Sequence, residues 1–176
     1  LITGASGGLG VALIDWLVDM AQIFARRLIL LVRNGRAASR FDSWNVRPRI
    51  RVAKLLHCLD DLEAAKLPPC STIFHLAGTL KDAMLPSLTY ESFSKPIVPK
   101  AGGLISLRRL SSDSNWPVRS LVAYSSTTSL YGFGGQTNYA AANSILDAAA
   151  DFGDDDNDNR GERHPSVIIS AERPRC

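Results

Sequence analysis

Nowhere in this chain of 176 residues does an apolar run approach the roughly 20 residues that span a bilayer. No charged, apolar and small-residue succession marks a secretory leader. Cysteine is scarce: Cys58, Cys70 and Cys176 are odd in number and lack CxxC or Cys/His spacing, so neither a disulfide framework nor a metal site is indicated. Charge of one sign is also scarce. A net charge of +3 is too small to argue for nucleic acid. The arginines at 33, 36, 40, 47, 49 and 51 cluster without interleaved aromatics and read as a solvated face. What remains is a cytoplasmic protein with no nucleic-acid partner, no membrane partner and no metal. With 45% apolar and 21% charged residues, it has the composition of one globular domain with one core.

Glycine, by contrast, is placed rather than scattered. The opening LITGASGGLG runs a short apolar strand into Thr3, Gly4, Gly8 and Gly10. An amphipathic stretch follows, with Leu9, Ala12, Leu13, Trp16, Leu17 and Met20 expected to face inward. Strand, glycine turn and helix start form the layout that cradles a pyrophosphate, because glycines admit a close backbone approach and the helix N-terminus offers N–H groups and positive potential. The spacing is Thr-Gly-x-x-x-Gly-x-Gly rather than GxGxxG. On its own the cluster reads as readily as an ordinary tight turn; the strand-to-helix context favours nucleotide binding.

Strands are expected at 1–3, 28–32, 50–56, 72–76, 120–124 and 166–169, with helices at about 9–25, 100–110 and 137–151. Short apolar strands alternating with helical periods imply an α/β fold, a doubly wound parallel sheet with helices on both faces. Ligands in such sheets bind beyond the strands' carboxyl ends, where Gly4, Arg33, Gly78 and Ser126 fall. The acidic stretch 151–163 reads as a mobile surface loop; its aspartates do not fit a calcium loop, since the glycine position holds Asn159. The chain starts inside its first strand and stops soon after its last, as a piece of something longer would.

The segment YSSTTSLYGFGGQTNYAAANSILD carries the chemistry. Ser126 ends an apolar strand, a Gly-rich loop to Gly135 can fold back, and Tyr139 then lies one helical turn from Asn143 on the same face. A serine, a tyrosine and an asparagine at a strand's carboxyl end form a carbonyl-handling set. Taken singly, Ser126 reads equally as a strand-end cap, Tyr139 as a packed aromatic and Lys100 as a surface lysine.

With LITGASGGLG, RRLILLVRNG, IFHLAGTLKDAML, PKAGG and SSTTSLYGFGGQTNYAAAN in order, the chain resembles a short-chain dehydrogenase/reductase. It is most similar to the catalytic half of a ketoreductase domain from a modular polyketide or animal-type fatty acid synthase. Single-domain members usually carry lysine four residues after the tyrosine and Asn-Asn-Ala-Gly after the fourth strand. Here Asn143 follows the tyrosine, His75-Leu76-Ala77-Gly78 follows the strand, and Lys100 lies upstream, the exchange found in synthase ketoreductases. The resemblance implies Tyr139 as general acid, Ser126 as hydrogen-bond donor to the developing alkoxide, Lys100 as the ammonium that favours the phenolate, and Asn143 as holder of that lysine or of a relay water. His75 reads as a packed strand residue.

The resemblance further implies that Thr3, Gly4, Ser6, Gly8, Leu9 and Gly10 hold the cofactor's phosphates and that Ala77 and Gly78 pass its nicotinamide ribose. Arg33, with no acid beside it, suits a 2′-phosphate and so NADPH. The family's adenine-recognising Cys-Asp-Val survives at best as Cys58-Leu59-Asp60, and Pro96 falls where a helix should precede Lys100. The implied substrate is a β-ketoacyl thioester carried by an acyl carrier protein, with neighbouring synthase domains as partners. Asp82 and Asn138 match substrate-orienting positions of the so-called B type, which gives a D-configured hydroxyl. A non-catalytic ketoreductase-fold scaffold and a stand-alone reductase of a small ketone are the other readings.

Overall fold

The computed structural model describes residues 1–20, 28–32, 50–54, 67–151 and 166–170. Two compact units divide the chain, Leu1–Pro69 and Cys70–Cys176. Each is built on parallel strands.

In the first unit β1 (Ile2–Thr3) pairs with β2 (Leu28–Val32), matching Ile2 to Leu30, and β2 pairs with β3 (Ile50–Lys54), matching Leu28 to Ile50. All five residues of β2, LILLV, are buried. An unbroken apolar run without alternation is what a strand covered on both faces requires. Helix α1 (Gly8–Met20) starts one residue earlier than its apolar period implies, and residues 21–27 lie outside the described residues.

The helix also faces differently from the expectation. Ile14 is fully buried and Gly10 is buried, whereas Leu9 and Trp16 are 49% and 57% exposed. The seam is set by the small residue that lets the helix approach the turn before it. Gly10 lies against the backbone of Gly4 and Ala5, which puts Ile14, one turn on, at its centre and turns Leu9 and Trp16 away.

In the second unit β4 (Thr72–His75) pairs with β5 (Ser120–Ser125), His75 opposite Ala123, and β5 pairs with β6 (Ser166–Ser170). The crossover from β4 to β5 holds α2 (Tyr90–Ile97), a π-helical turn (Val98–Gly102) and α3 (Gly103–Asp113). Leu104, Leu107 and Leu110 of α3 recur every third residue and are all buried. Each contributes about 1.5–3 kcal/mol by leaving water.

A Schellman-type cap ends α3: Trp116 N–H bonds Ser111 O at 2.8 Å, Asn115 N–H bonds Ser112 O at 3.0 Å, and Asn115 takes φ 49°. From β5 to β6 the chain forms α4 (Thr128–Tyr131) and α5 (Thr137–Asp151), the latter where its alanine-rich period places it. The acidic loop 152–165 and the tail 171–176 lie outside the described residues.

Candidate active site

Three of the four residues expected to carry the chemistry are held by the end of β5 and by α5. Ser126 follows β5 directly and is 7% exposed. Its Oγ accepts from Thr128 N–H at 3.3 Å and from Thr128 Oγ1 at 3.0 Å, so it keeps its own proton to donate. Tyr139, in the first turn of α5, is half-buried. Asn143, one turn later, is fully buried; its Nδ2 donates to Tyr139 O at 2.7 Å. Among the described residues, Asn143 Oδ1 is the buried side-chain atom left without a hydrogen-bond partner. An orphaned acceptor at that depth is costly unless the site uses it.

Lys100 ties these elements together. It is only 5% exposed, its Nζ donates to Tyr124 O at 2.7 Å, and the ammonium stands 5.3 Å from the centroid of the Tyr139 ring. The charge is thus fixed between the end of β5 and the tyrosine, within cation–π range of the ring. Its aliphatic stem passes Gly78, where a Cβ would stand 3.2 Å from Lys100 Cε. Lys100 sits on the π-helical turn rather than at an α-helix start, and π-turns concentrate at functional sites.

Asn138 and Asp82 were expected to orient substrate. Asp82 is exposed, and its Oδ2 accepts from Gln136 Nε2 at 3.1 Å. Asn138 is fully buried and turned inward: Nδ2 donates to Lys81 O at 2.8 Å and to Ser92 O at 2.7 Å, while Oδ1 accepts from Tyr139 N–H at 2.8 Å. The bond to Ser92 O has a covalent cause. Pro96 lies inside α2 and has no N–H to return to the carbonyl four residues back, so Asn138 supplies that donor. One further link, Ala83 N–H to Gly135 O at 2.9 Å, joins the same two loops, at a glycine whose φ of +78° a side chain would strain.

Asn138→Leu removes all three bonds and should lower stability by about 3 kcal/mol, since the partners are left buried and unpaired. Asn138→Asp keeps the acceptor for Tyr139 N–H but sets an oxygen against two carbonyls, and should be at least as damaging. Urea melts of both variants measure this, and wild-type stability in either would remove the clasp from the account.

The glycine turn belongs to the first unit. Thr3 is buried, Gly4 takes φ +66°, and Ser6, Gly8 and Leu9 are exposed. A Cβ on Gly10 would lie 2.5 Å from Gly4 O, whereas one on Gly8 would meet nothing within 4 Å. The tight turn therefore presents an open shoulder at a helix start, whose first N–H groups lack carbonyl partners in their own helix. That shape fits a pyrophosphate. Ala77 and Gly78 follow β4, both half-buried. Arg33 and Cys58-Leu59-Asp60 lie outside the described residues. No group of metal-binding side chains occurs among the described residues.

Comparison with known proteins decides the kinship. The family model for the KR domain matches residues 1–160. This chain belongs to the KR-domain family. Its polyketide synthase members fall within the short-chain dehydrogenase/reductases, nicotinamide-dependent oxidoreductases with a Rossmann-like, doubly wound fold. It is 33% identical over 184 aligned residues to 6-methylsalicylic acid synthase AOL_s00215g283 of Arthrobotrys oligospora, covering 90% of this chain and 10% of that protein. To lovastatin diketide synthase lovF of Aspergillus terreus it is 33% identical over 160 residues, 86% of this chain and 6% of that protein. The chain thus spans a tenth or less of the length of these KR-bearing synthases. Among solved structures, the first ketoreductase of the tylosin polyketide synthase superposes with a TM-score of 0.78 at 30% identity, over 96% of this chain and 37% of that one. No described helix of this KR domain is long and apolar enough to cross a membrane.

The sequence singled out Ser126, Tyr139, Lys100 and Asn143 but gave no sign of Gln136, the Tyr124 carbonyl or the bond from His75 Nε2 to Lys100 O. Pro96 and Pro99, both just before the lysine, marked that backbone as short of donors but pointed to none of these three.

Proposed function

We propose that this KR domain reduces a β-ketoacyl thioester, presented by an acyl carrier protein, to the β-hydroxyacyl thioester with NADPH. The observation that carries the reading is Lys100, a buried ammonium held between Tyr124 O and the Tyr139 ring, with the orphaned acceptor of Asn143 one helical turn from that tyrosine.

Thr3, Gly4, Ser6, Gly8, Leu9 and Gly10 would hold the dinucleotide's phosphates, Arg33 its 2′-phosphate, and Ala77 with Gly78 the ribose next to the nicotinamide. When bound, the cofactor supplies a hydride to the carbonyl carbon. The residues of the chain handle the oxygen. Ser126 donates its free hydroxyl proton into a hydrogen bond with the carbonyl, which stabilises negative charge as it develops. Tyr139 gives its phenolic proton to that oxygen. The ammonium of Lys100 stabilises the phenolate left behind, and Asn143 Oδ1 would accept from a relay water that returns a proton. Asp82, held by Gln136, would orient the substrate, and the hydroxyl produced is D-configured.

The test is oxidation of NADPH by the chain with a β-ketoacyl thioester, free and carrier-bound, followed by chiral analysis of the product. Turnover favouring the carrier-bound substrate and NADPH over NADH, with a D-hydroxyl product, is expected. A folded chain that binds NADPH and reduces neither thioester would leave the non-catalytic scaffold in its place.

A further inference from the structure

The reaction proposed above needs Lys100 in one position, and the helix that carries it is poorly suited to fix it. In the π-turn Val98–Gly102, the one Gly103 N–H is shared between Val98 O, five residues back, and Lys100 O, three back. Pro99, within that turn, has no N–H to offer the preceding turn. Widened and short of donors, this backbone needs an anchor from outside.

His75 supplies one. Its Nε2 donates to Lys100 O at 2.8 Å, and the residue is 1% exposed at the end of β4. The ring has a dedicated seat: a Cβ on Gly103 would come 2.8 Å from His75 Cε1, so only glycine there admits the imidazole. Burial lowers its pKa from 6.5 to about 4, helped by the Lys100 ammonium and opposed by the bond to the Lys100 carbonyl. The ring is therefore neutral near pH 7, with its proton on the nitrogen that faces the carbonyl.

Sheet register completes the hold. His75 pairs with Ala123, and the next residue, Tyr124, receives the Lys100 ammonium. Adjacent strands thus grip the lysine at its two ends, main chain by β4 and side chain by β5, at a spacing the sheet fixes. A leucine or phenylalanine would fill the same volume but could not make the first grip.

We propose that His75 is a positioning residue for Lys100, acting through the lysine's main-chain carbonyl to hold its ammonium at Tyr139. The claim rests on the reductase reading for its consequence in turnover, though not for its geometry.

Three variants test it: His75→Leu, which keeps bulk and loses the donor; His75→Gln, whose amide can donate from a similar reach; and Gly103→Ala, which pushes the ring from its seat. Two readouts are needed. One is kcat for NADPH oxidation with a β-ketoacyl thioester. The other, independent of turnover, is the rate at which an amine-acylating reagent labels Lys100 in the cofactor-free protein, read by mass spectrometry against exposed Lys81 and Lys95.

His75→Leu should lower kcat by ~10- to 100-fold, the range for a displaced catalytic group, with little change in the KM for NADPH. It should also raise Lys100 labelling relative to the reference lysines. Gly103→Ala should act in the same direction, and His75→Gln should restore both readouts towards wild type. Unchanged Lys100 labelling in folded His75→Leu would overturn the proposal, as would a His75→Gln variant as impaired as the leucine. If His75→Leu does not fold, Gly103→Ala and His75→Gln decide between the same outcomes. A wild-type chain that never oxidises NADPH would remove the reductase reading alone, and labelling would still decide whether His75 holds Lys100.

Discussion

Tyr139→Phe is expected to give a folded, NADPH-binding protein whose kcat has fallen by ~10²- to 10⁴-fold, the usual contribution of a positioned general acid. The size of the loss follows from how little else the substitution touches. The Tyr139 main chain is held at both ends by neighbours that remain, its N–H on Asn138 Oδ1 and its carbonyl under Asn143 Nδ2. The ring stays within cation–π range of Lys100, because phenylalanine offers the same π face at the observed 5.3 Å. The residue is half-buried, so removal of one hydroxyl should change stability by no more than about 0.5 kcal/mol. Only the proton is gone. The measurement is single-turnover NADPH oxidation with a β-ketoacyl thioester, together with a thermal melt and an NADPH titration of the same sample. A variant as fast as wild type would take Tyr139 out of the proton-transfer step. Parallel loss of NADPH binding would show that the ring, rather than its hydroxyl, is what the site needs.

Where the sequence was legible, the signal was local. Helix α5 and strand β2 match their expected limits, because an alanine-rich run and an unbroken LILLV each declare themselves within a few residues. Tyr139 and Asn143 were readable as a pair for the same reason: one helical turn links them whatever surrounds it. Helix α2 was expected from the resemblance alone, and no local signal gave it. Its sequence YESFSKPI carries a proline near its end, and local rules read proline as a break. The carbonyl that Pro96 leaves open is served by Asn138, far along the chain, so the helix depends on a partner that no window around it contains.

Asn138 shows the mirror image of that limit. Its place beside Tyr139 pointed to the substrate, but the open carbonyls of Lys81 and Ser92 draw its amide inward. Helix α1 shows a third kind of limit. Apolar periodicity put Leu9 and Trp16 inside, yet the close approach is made by Gly10, whose lack of a side chain lets the helix touch the turn.

That close approach sets the second large effect, in Gly10→Ala. Alanine is a better helix former than glycine by about 1 kcal/mol, so propensity alone would favour the change. Packing opposes it more strongly. The new Cβ would lie 2.5 Å from Gly4 O, 2.8 Å from Ala5 Cα and 3.0 Å from Ala5 C, all main-chain atoms that no side-chain rotation can move aside. Gly4 is already at φ +66°, so the turn has little freedom to yield without opening. Overpacking of this kind costs about 1–3 kcal/mol, and the net result should be a less stable protein. Opening the turn also pulls the N–H groups of the helix start away from the phosphates they would bind, so NADPH affinity should fall by at least ~10-fold, the cost of about 1.4 kcal/mol in binding.

Gly8→Ala is the control that separates the two consequences. Its Cβ meets nothing within 4 Å, so stability should hold or rise slightly, while a methyl group now stands on the exposed shoulder where phosphate would approach. Calorimetric melts and NADPH titrations of both variants give four numbers. A fall in stability confined to Gly10→Ala, with weakened NADPH binding in both, is the expected pattern. NADPH binding unchanged in both variants would show that the glycine turn is architectural and that the cofactor's phosphates are held elsewhere.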